Sequence, residues 1–180
     1  TDLEESISAI EKIIDELEVN MKVQFKEQFT QVNENFKYVY KRLFGGGEGE
    51  LTILDEDNIL ESDIQITAKP PGKKMKNLNL LSGGEKALTA ISILFAIILA
   101  KPTPFCILDE IEAPLDDANI FRFGEYLKEL SEDTQFIAVT HRRGTMEAAD
   151  YIYGVTMEKK AISKVIGLDL HEAHKMTDII

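Results

Sequence analysis

Phe105-Cys106-Ile107-Leu108-Asp109-Glu110 is an apolar run that stops abruptly at two adjacent carboxylates. An uninterrupted apolar tetrad reads as a strand buried inside a sheet, and in open α/β sheets ligands bind at the carboxyl ends of such strands. The flanking segments fit that setting. Leu81 to Ala100 and Asp117 to Leu130 carry helical patterns, the second with Ile120, Phe123, Leu127 and Leu130 on one face, and Gln135 to Thr140 is another apolar strand. Apolar strands alternating with helices predict an α/β fold in which a parallel sheet is covered on its faces. Strand alternation points Asp109 and Glu110 in different directions, so the two serve different purposes. One can hold Mg²⁺ through its water shell while the other accepts a proton from an attacking water. Acids also commonly open loops, but an apolar strand ending in Asp-Glu favours a nucleotide site.

Moving outward, Leu81-Ser82-Gly83-Gly84-Glu85 opens the preceding helix. Ser82 and Glu85 have capping-box spacing. Two glycines inside a cap weaken a purely structural helix start, and their use would be to bring backbone N–H groups close to an anion. Read alone, the stretch serves a plain cap as well as an anion cradle. The apolar run Leu88 to Ala100, interrupted by Thr89 and Ser92, is shorter than the roughly 20 residues of a membrane span and reads as a buried helix. On the other side, Thr140-His141 ends the second strand on the same sheet edge, where an imidazole can donate to a terminal phosphate. A short helix is expected around Thr145 to Ala149, then strands Tyr151 to Met157 and Ala161 to Leu170, turned by Glu158, Lys159 and Lys160 into an antiparallel hairpin. His171 and His174 lack metal-ligand spacing and receive no role.

The first 44 residues contain no Gly or Pro, and Leu3, Ile7, Ile10, Ile14, Leu17 and Met21 follow steps of four and three. The seam then steps by four to Phe25 and Phe29 before continuing through Val32, Phe36, Val39 and Leu43, a slip that relaxes supercoiling. This predicts a projecting coiled-coil arm whose Phe-rich end runs onto a domain surface. At about 1.5 Å per residue the helix spans roughly 66 Å, longer than a small domain is wide. Gly45, Gly46 and Gly47 end it. Glu50 to Leu54 and Asp63 to Ala68 read as strands, and Pro70-Pro71-Gly72 forces a loop. Its lysines, Lys73, Lys74 and Lys76, would suit a phosphate backbone or simply be solvated.

The chain has 180 residues, 44% of them apolar, and 20 Lys and Arg against 32 Asp and Glu give a formal charge of −12. Such acidity argues against the chain alone wrapping nucleic acid. One cysteine, Cys106, excludes a disulfide-stapled secreted domain and fits a reducing cytosol. The absence of an initiator Met and the opening in mid-helix suggest a fragment of something longer.

Four motifs in order, Leu81-Ser82-Gly83-Gly84-Glu85-Lys86-Ala87-Leu88, Ile107-Leu108-Asp109-Glu110, Ala113-Pro114-Leu115-Asp116-Asp117-Ala118-Asn119 and Val139-Thr140-His141-Arg142-Arg143-Gly144-Thr145-Met146, make the chain resemble the C-terminal head half of a bacterial SMC chromosome-condensation ATPase. The resemblance implies the C-terminal lobe of an ABC-type P-loop ATPase head (44–180) carrying a coiled-coil arm (1–43). It makes Leu81, Ser82, Gly83 and Gly84 a signature motif that meets ATP held by an opposite head. Asp109 becomes the Walker B aspartate supporting Mg²⁺, Glu110 the residue that activates water, Leu115 and Asp116 part of the D-loop, and His141 the switch histidine. Pro114 stands where the family often has Ala and should stiffen the D-loop. The implied partners are an N-terminal head half, a second head in a homodimer, a kleisin winged-helix domain on the hairpin, and DNA in the full complex; no membrane is implied. The implied setting is the cytoplasm, on the nucleoid. No Gly-x-x-x-x-Gly-Lys-[Ser/Thr] occurs anywhere in the chain, so ATP hydrolysis is expected only when another segment supplies the phosphate loop. A coiled-coil DNA-repair ATPase and a non-hydrolysing scaffold are the alternatives; the retained Asp109-Glu110 pair disfavours the scaffold.

Overall fold

The computed structural model describes residues 2–159 and 162–170. The chain divides after Thr103 into two compact units.

In the first unit, α1 (Asp2–Phe44) is one continuous helix, as a 44-residue stretch free of Gly and Pro predicts, and it runs straight through the slip in the repeat. Its seam residues Leu3, Ile7, Ile10, Ile14, Leu17 and Met21 are all exposed, whereas Phe36, Val39, Tyr40, Leu43 and Phe44 are buried. The change of environment follows the slip in the repeat, with Phe25 and Phe29 stacked at a centroid distance of 6.1 Å between the two regimes. Beneath the buried end lie β1 (Glu48–Ile53) and α2 (Gly83–Ala100), and two asparagines stitch α1 to them. Asn33 Oδ1 accepts from the Leu51 N–H at 2.8 Å, and the Asn35 amide donates to the Ala96 carbonyl at 3.2 Å. Gly49 allows β1 to lie directly on the aromatic cluster. A Cβ there would sit 2.8 Å from the Phe36 ring and 2.9 Å from the Tyr40 ring.

β1, β2 (Ile64–Lys69) and β3 (Lys76–Asn77) form an antiparallel sheet in that order, Glu48 facing Lys69 and Thr67 facing Asn77. β3 carries no apolar pattern and is not evident in the sequence. A single 3₁₀ turn, Leu78–Leu80, precedes α2. The helix expected from Leu81 starts two residues later, because Leu81 and Ser82 are extended. α2 is long and apolar enough to match a membrane span by length and composition. It buries Leu88, Thr89, Ile91, Ser92, Phe95, Ala96 and Ile98 within this unit, and both hydroxyls are satisfied by carbonyls one turn back, so it reads as a core helix.

In the second unit, β4 (Phe105–Asp109) and β5 (Gln135–Val139) pair in parallel, Phe105 beside Gln135 and Asp109 beside Val139. Between them runs α3 (Asp117–Leu130), whose buried face is Ile120, Phe123, Tyr126, Leu127 and Leu130. α4 (Arg143–Glu147) packs on α3 where Gly124 meets the Gly144 carbonyl; a Cβ at Gly124 would lie 2.9 Å from that oxygen. The expectation of a sheet covered on both faces is corrected. Phe105 and Ile107 are 55% and 62% exposed, and Ile137 and Val139 are also exposed, while Leu108 is buried. Alternation with a period of two puts these exposed side chains on one face of a two-stranded sheet. β6 (Tyr151–Lys159) and β7 (Ile162–Asp169) form the expected antiparallel hairpin, with an irregularity between Thr156 and Lys159. Lys160, Ala161, His171 and His174 lie outside the described residues.

Candidate functional site

The second unit gathers the acids and the histidine at the carboxyl ends of its parallel strands. Asp109 is the last residue of β4 and is exposed. Glu110 follows in the left-handed region at φ +49°, a conformation that non-glycine residues adopt rarely and that concentrates at functional sites. Its N–H still reaches the Val139 carbonyl at 2.9 Å, so the ladder is extended while the backbone turns away. The side chain is thereby aimed at the end of the neighbouring strand, where Oε1 lies 3.4 Å from His141 Nδ1. Both side chains are open to solvent, 55% and 63% exposed. An acceptor and an imidazole so placed can both reach a small polar molecule lying beside them on the open side and exchange a proton with it.

Two turns carry the chain from Glu110 to the next helix. The Ala113 N–H donates to the Glu110 carbonyl at 3.1 Å, and the Leu115 N–H to the Glu112 carbonyl at 2.9 Å. Pro114 sits inside the second turn, and Leu115 is buried. Asp116 then caps α3, its carboxylate accepting from the Asn119 N–H at 2.9 Å. Sequence reasoning missed Glu112, which is 2% exposed and accepts from the hydroxyls of Thr140 and Thr145. It also missed Arg142, whose guanidinium donates to the Leu115 carbonyl at 3.1 Å and to the Asp117 carboxylate at 3.0 Å. In the sequence Glu112 looks like one more loop acid, and nothing local marks it as buried.

No group of three or more His, Cys, Asp or Glu able to cage a metal occurs among the described residues. Asp109 fits the alternative for Mg²⁺, an ion that keeps most of its waters and takes one or two carboxylates together with substrate phosphates.

The first unit holds the other predicted site. Ser82 stands at the N-cap of α2, and Glu85 accepts from its N–H at 3.0 Å and its hydroxyl at 2.8 Å. The Lys73 ammonium reaches the same carboxylate at 2.9 Å. That ammonium first, then the hydrogen bonds from Ser82, holds the Glu85 carboxyl down to about 2, so it stays ionised at the helix start. Lys73 is therefore engaged with Glu85, which leaves Lys74 and Lys76 as the exposed remainder of the basic run. Open space surrounds Gly83 on its side-chain side, and Ser82 and Gly83 are exposed, so this helix start is open to solvent. Leu81 differs from its neighbours in being buried, with its N–H donated to the Leu78 carbonyl. It anchors the motif.

Residues 4–164 match the family described as the RecF/RecN/SMC N-terminal domain. The chain is 53% identical over 171 residues to the chromosome partition protein Smc of Bacillus subtilis strain 168, which covers 95% of this chain and 14% of that protein. Among solved structures it is similar to the Smc head domain with an extended coiled coil bound to the C-terminal domain of ScpA, from Pyrococcus furiosus. That match has 40% identity and a TM-score of 0.83, covering 95% of this chain and 43% of that one. A second, described under the ATP-driven dimerization and DNA-stimulated activation of SMC ATPases, is 41% identical with a TM-score of 0.76, covering 87% and 95%. With the family match running over residues 4–164 and the Smc relative of Bacillus subtilis 53% identical over 95% of the chain, this chain belongs to the RecF/RecN/SMC family and is an SMC head region.

Proposed function

We propose that this chain is the C-terminal half of an SMC ATPase head, which binds ATP between two engaged heads and hydrolyses it to drive chromosome condensation and segregation. The observation that carries the reading is Glu110 in a left-handed turn, 3.4 Å from His141 at the ends of two parallel strands. Glu110 accepts a proton from the attacking water, and His141 donates to the terminal phosphate and senses its loss. Mg²⁺, when bound, neutralises phosphate charge, and Asp109 holds it. The Ser82-Gly83-Gly84 helix start offers N–H donors to the γ-phosphate carried by the opposite head, and Asp116 lies in the D-loop that crosses between heads. Hydrolysis removes that bridging charge and the heads part.

The assignment to the C-terminal half rests on motif content, although the matching family is described by an N-terminal domain. The sequence carries signature, Walker B, D-loop and switch-histidine residues in order and lacks a phosphate loop. The bare apolar face of β4 and β5 supports it, because a two-stranded sheet exposing Phe105, Ile107, Ile137 and Val139 needs a further segment to cover it. The exposed seam of α1 suits the other strand of a coiled coil. The exposed apolar side chains of β6 and β7 suit a kleisin winged-helix domain, and a similar Smc head is solved bound to the C-terminal domain of ScpA. The Smc names of the curated relatives favour chromosome partition, and so a cytoplasmic protein on the nucleoid, over DNA repair.

Ser82→Arg tests the division of labour between heads. Bulk and charge at the N-cap should abolish ATP-dependent dimerisation of the full-length protein, read by sedimentation, while leaving nucleotide binding to each head intact. Dimerisation that survives the substitution contradicts the signature assignment.

A further inference from the structure

We infer that Glu112 is a positioning residue for hydrolysis: its buried carboxylate ties the loop that carries His141 to the turn that carries Glu110. The inference rests on the function proposed above. The two segments leave adjacent strands in parallel, and their separation beyond the strand ends is not set by the ladder, whose last bond is from Glu110 N–H to the Val139 carbonyl. Glu112 supplies the missing constraint. One of its oxygens accepts from Thr140, the residue before His141, and from Thr145 in α4 at 3.0 Å. Thr140 Oγ1 also accepts from the Arg142 N–H at 3.0 Å, so the residues on both sides of His141 are tied to the same hydroxyl. On the other side, Glu112 is fixed by the turn in which its carbonyl accepts from Leu115 and the Glu110 carbonyl from Ala113. Arg142 adds a second tie, to the Leu115 carbonyl and Asp117.

Burying a carboxylate to accept two hydroxyls is a poor route to stability, since an apolar side chain of similar volume usually does as well or better. What the carboxylate offers instead is a defined distance between two loops. Glu110 and His141 are themselves exposed and lightly held, so their 3.4 Å approach depends on the backbone beneath them.

The test compares Glu112→Gln, which keeps a carbonyl acceptor, with Glu112→Leu and Thr145→Val in the full-length protein. Turnover, KM for ATP, melting temperature and the NMR signals of the His141 ring are read for each. The expected result is a kcat lower by about 10- to 100-fold in Glu112→Leu with KM unchanged, as follows from displacing reacting groups by about 1 Å. The His141 signals should shift in that variant, Thr145→Val should fall between it and the wild type, and Glu112→Gln should recover both kcat and the signals. Should Glu112→Leu fail to fold, the Thr145→Val and Glu112→Gln pair decides on the same readouts. Unchanged kcat with unmoved His141 signals overturns the inference, as does a loss in Glu112→Gln equal to that in Glu112→Leu. If the wild type itself has no turnover, the proposed function fails, while the His141 signals still judge whether Glu112 sets the position of the ring.

Discussion

Replacing Lys73 by Met removes the cation that holds Glu85 ionised at the start of α2, and the consequence depends on pH. In the folded protein the Glu85 carboxyl lies at about 2 against an ordinary value of 4.5, chiefly because of the Lys73 ammonium at 2.9 Å and secondarily because of Ser82. A depressed carboxyl contributes stability that is fully present above the unfolded value and is lost as pH falls toward the folded one, here between about 4.5 and 2. At 1.36 kcal/mol per unit the whole shift corresponds to at most about 3 kcal/mol. The Lys73 side chain is 54% exposed, so water and salt screen its share to about 1 kcal/mol. Urea unfolding at pH 7 should therefore show Lys73→Met less stable than wild type by about 1 kcal/mol, with the gap narrowing steadily from pH 4.5 to 2 and shrinking in 1 M salt. A gap of the same size at pH 7 and pH 2 would refute the electrostatic reasoning and assign the effect to packing of the lysine stem.

Gly49→Ala places a Cβ 2.8 Å from the Phe36 ring, and since both Phe36 and Tyr40 are fully buried it should cost about 1–3 kcal/mol in chemical denaturation. Asp116→Ala removes the cap on α3 and should cost about 1 kcal/mol, whereas Asp116→Ser keeps the cap. If Asp116 also acts across the head interface, the serine variant will be as stable as wild type yet defective in ATP-dependent dimerisation by sedimentation; normal dimerisation would leave Asp116 a helix cap alone.

Much of the fold can be read from local pattern. The apolar steps from Leu3 to Leu43 place α1, and the three glycines after it place its end, because both signals depend on neighbours within a few residues. α3 runs from Asp117 to Leu130 as its apolar face predicts, and the parallel pairing of β4 with β5 follows from apolar strands separated by a helix. β3 was invisible because two polar residues in a ladder carry no periodicity. The bare face of β4 and β5 is hidden in the sequence for a different reason: continuous apolar character shows that a strand is meant to be buried but does not say which chain segment covers it. At the site, Asp109, Glu110 and His141 stand out because strand ends and family motifs mark them. Glu112 and the Lys73–Glu85 pair do not, since each depends on partners 12 to 33 residues away brought together only by folding.

ATP turnover by this chain alone, and then mixed with a segment bearing the phosphate loop, each with and without Glu110→Gln, bears most directly on the split-head reading. The chain alone should be inactive, the mixture active, and the mixture with Glu110→Gln silent while still forming ATP-dependent dimers. Turnover by the chain alone, or an active mixture that ignores Glu110→Gln, would contradict it.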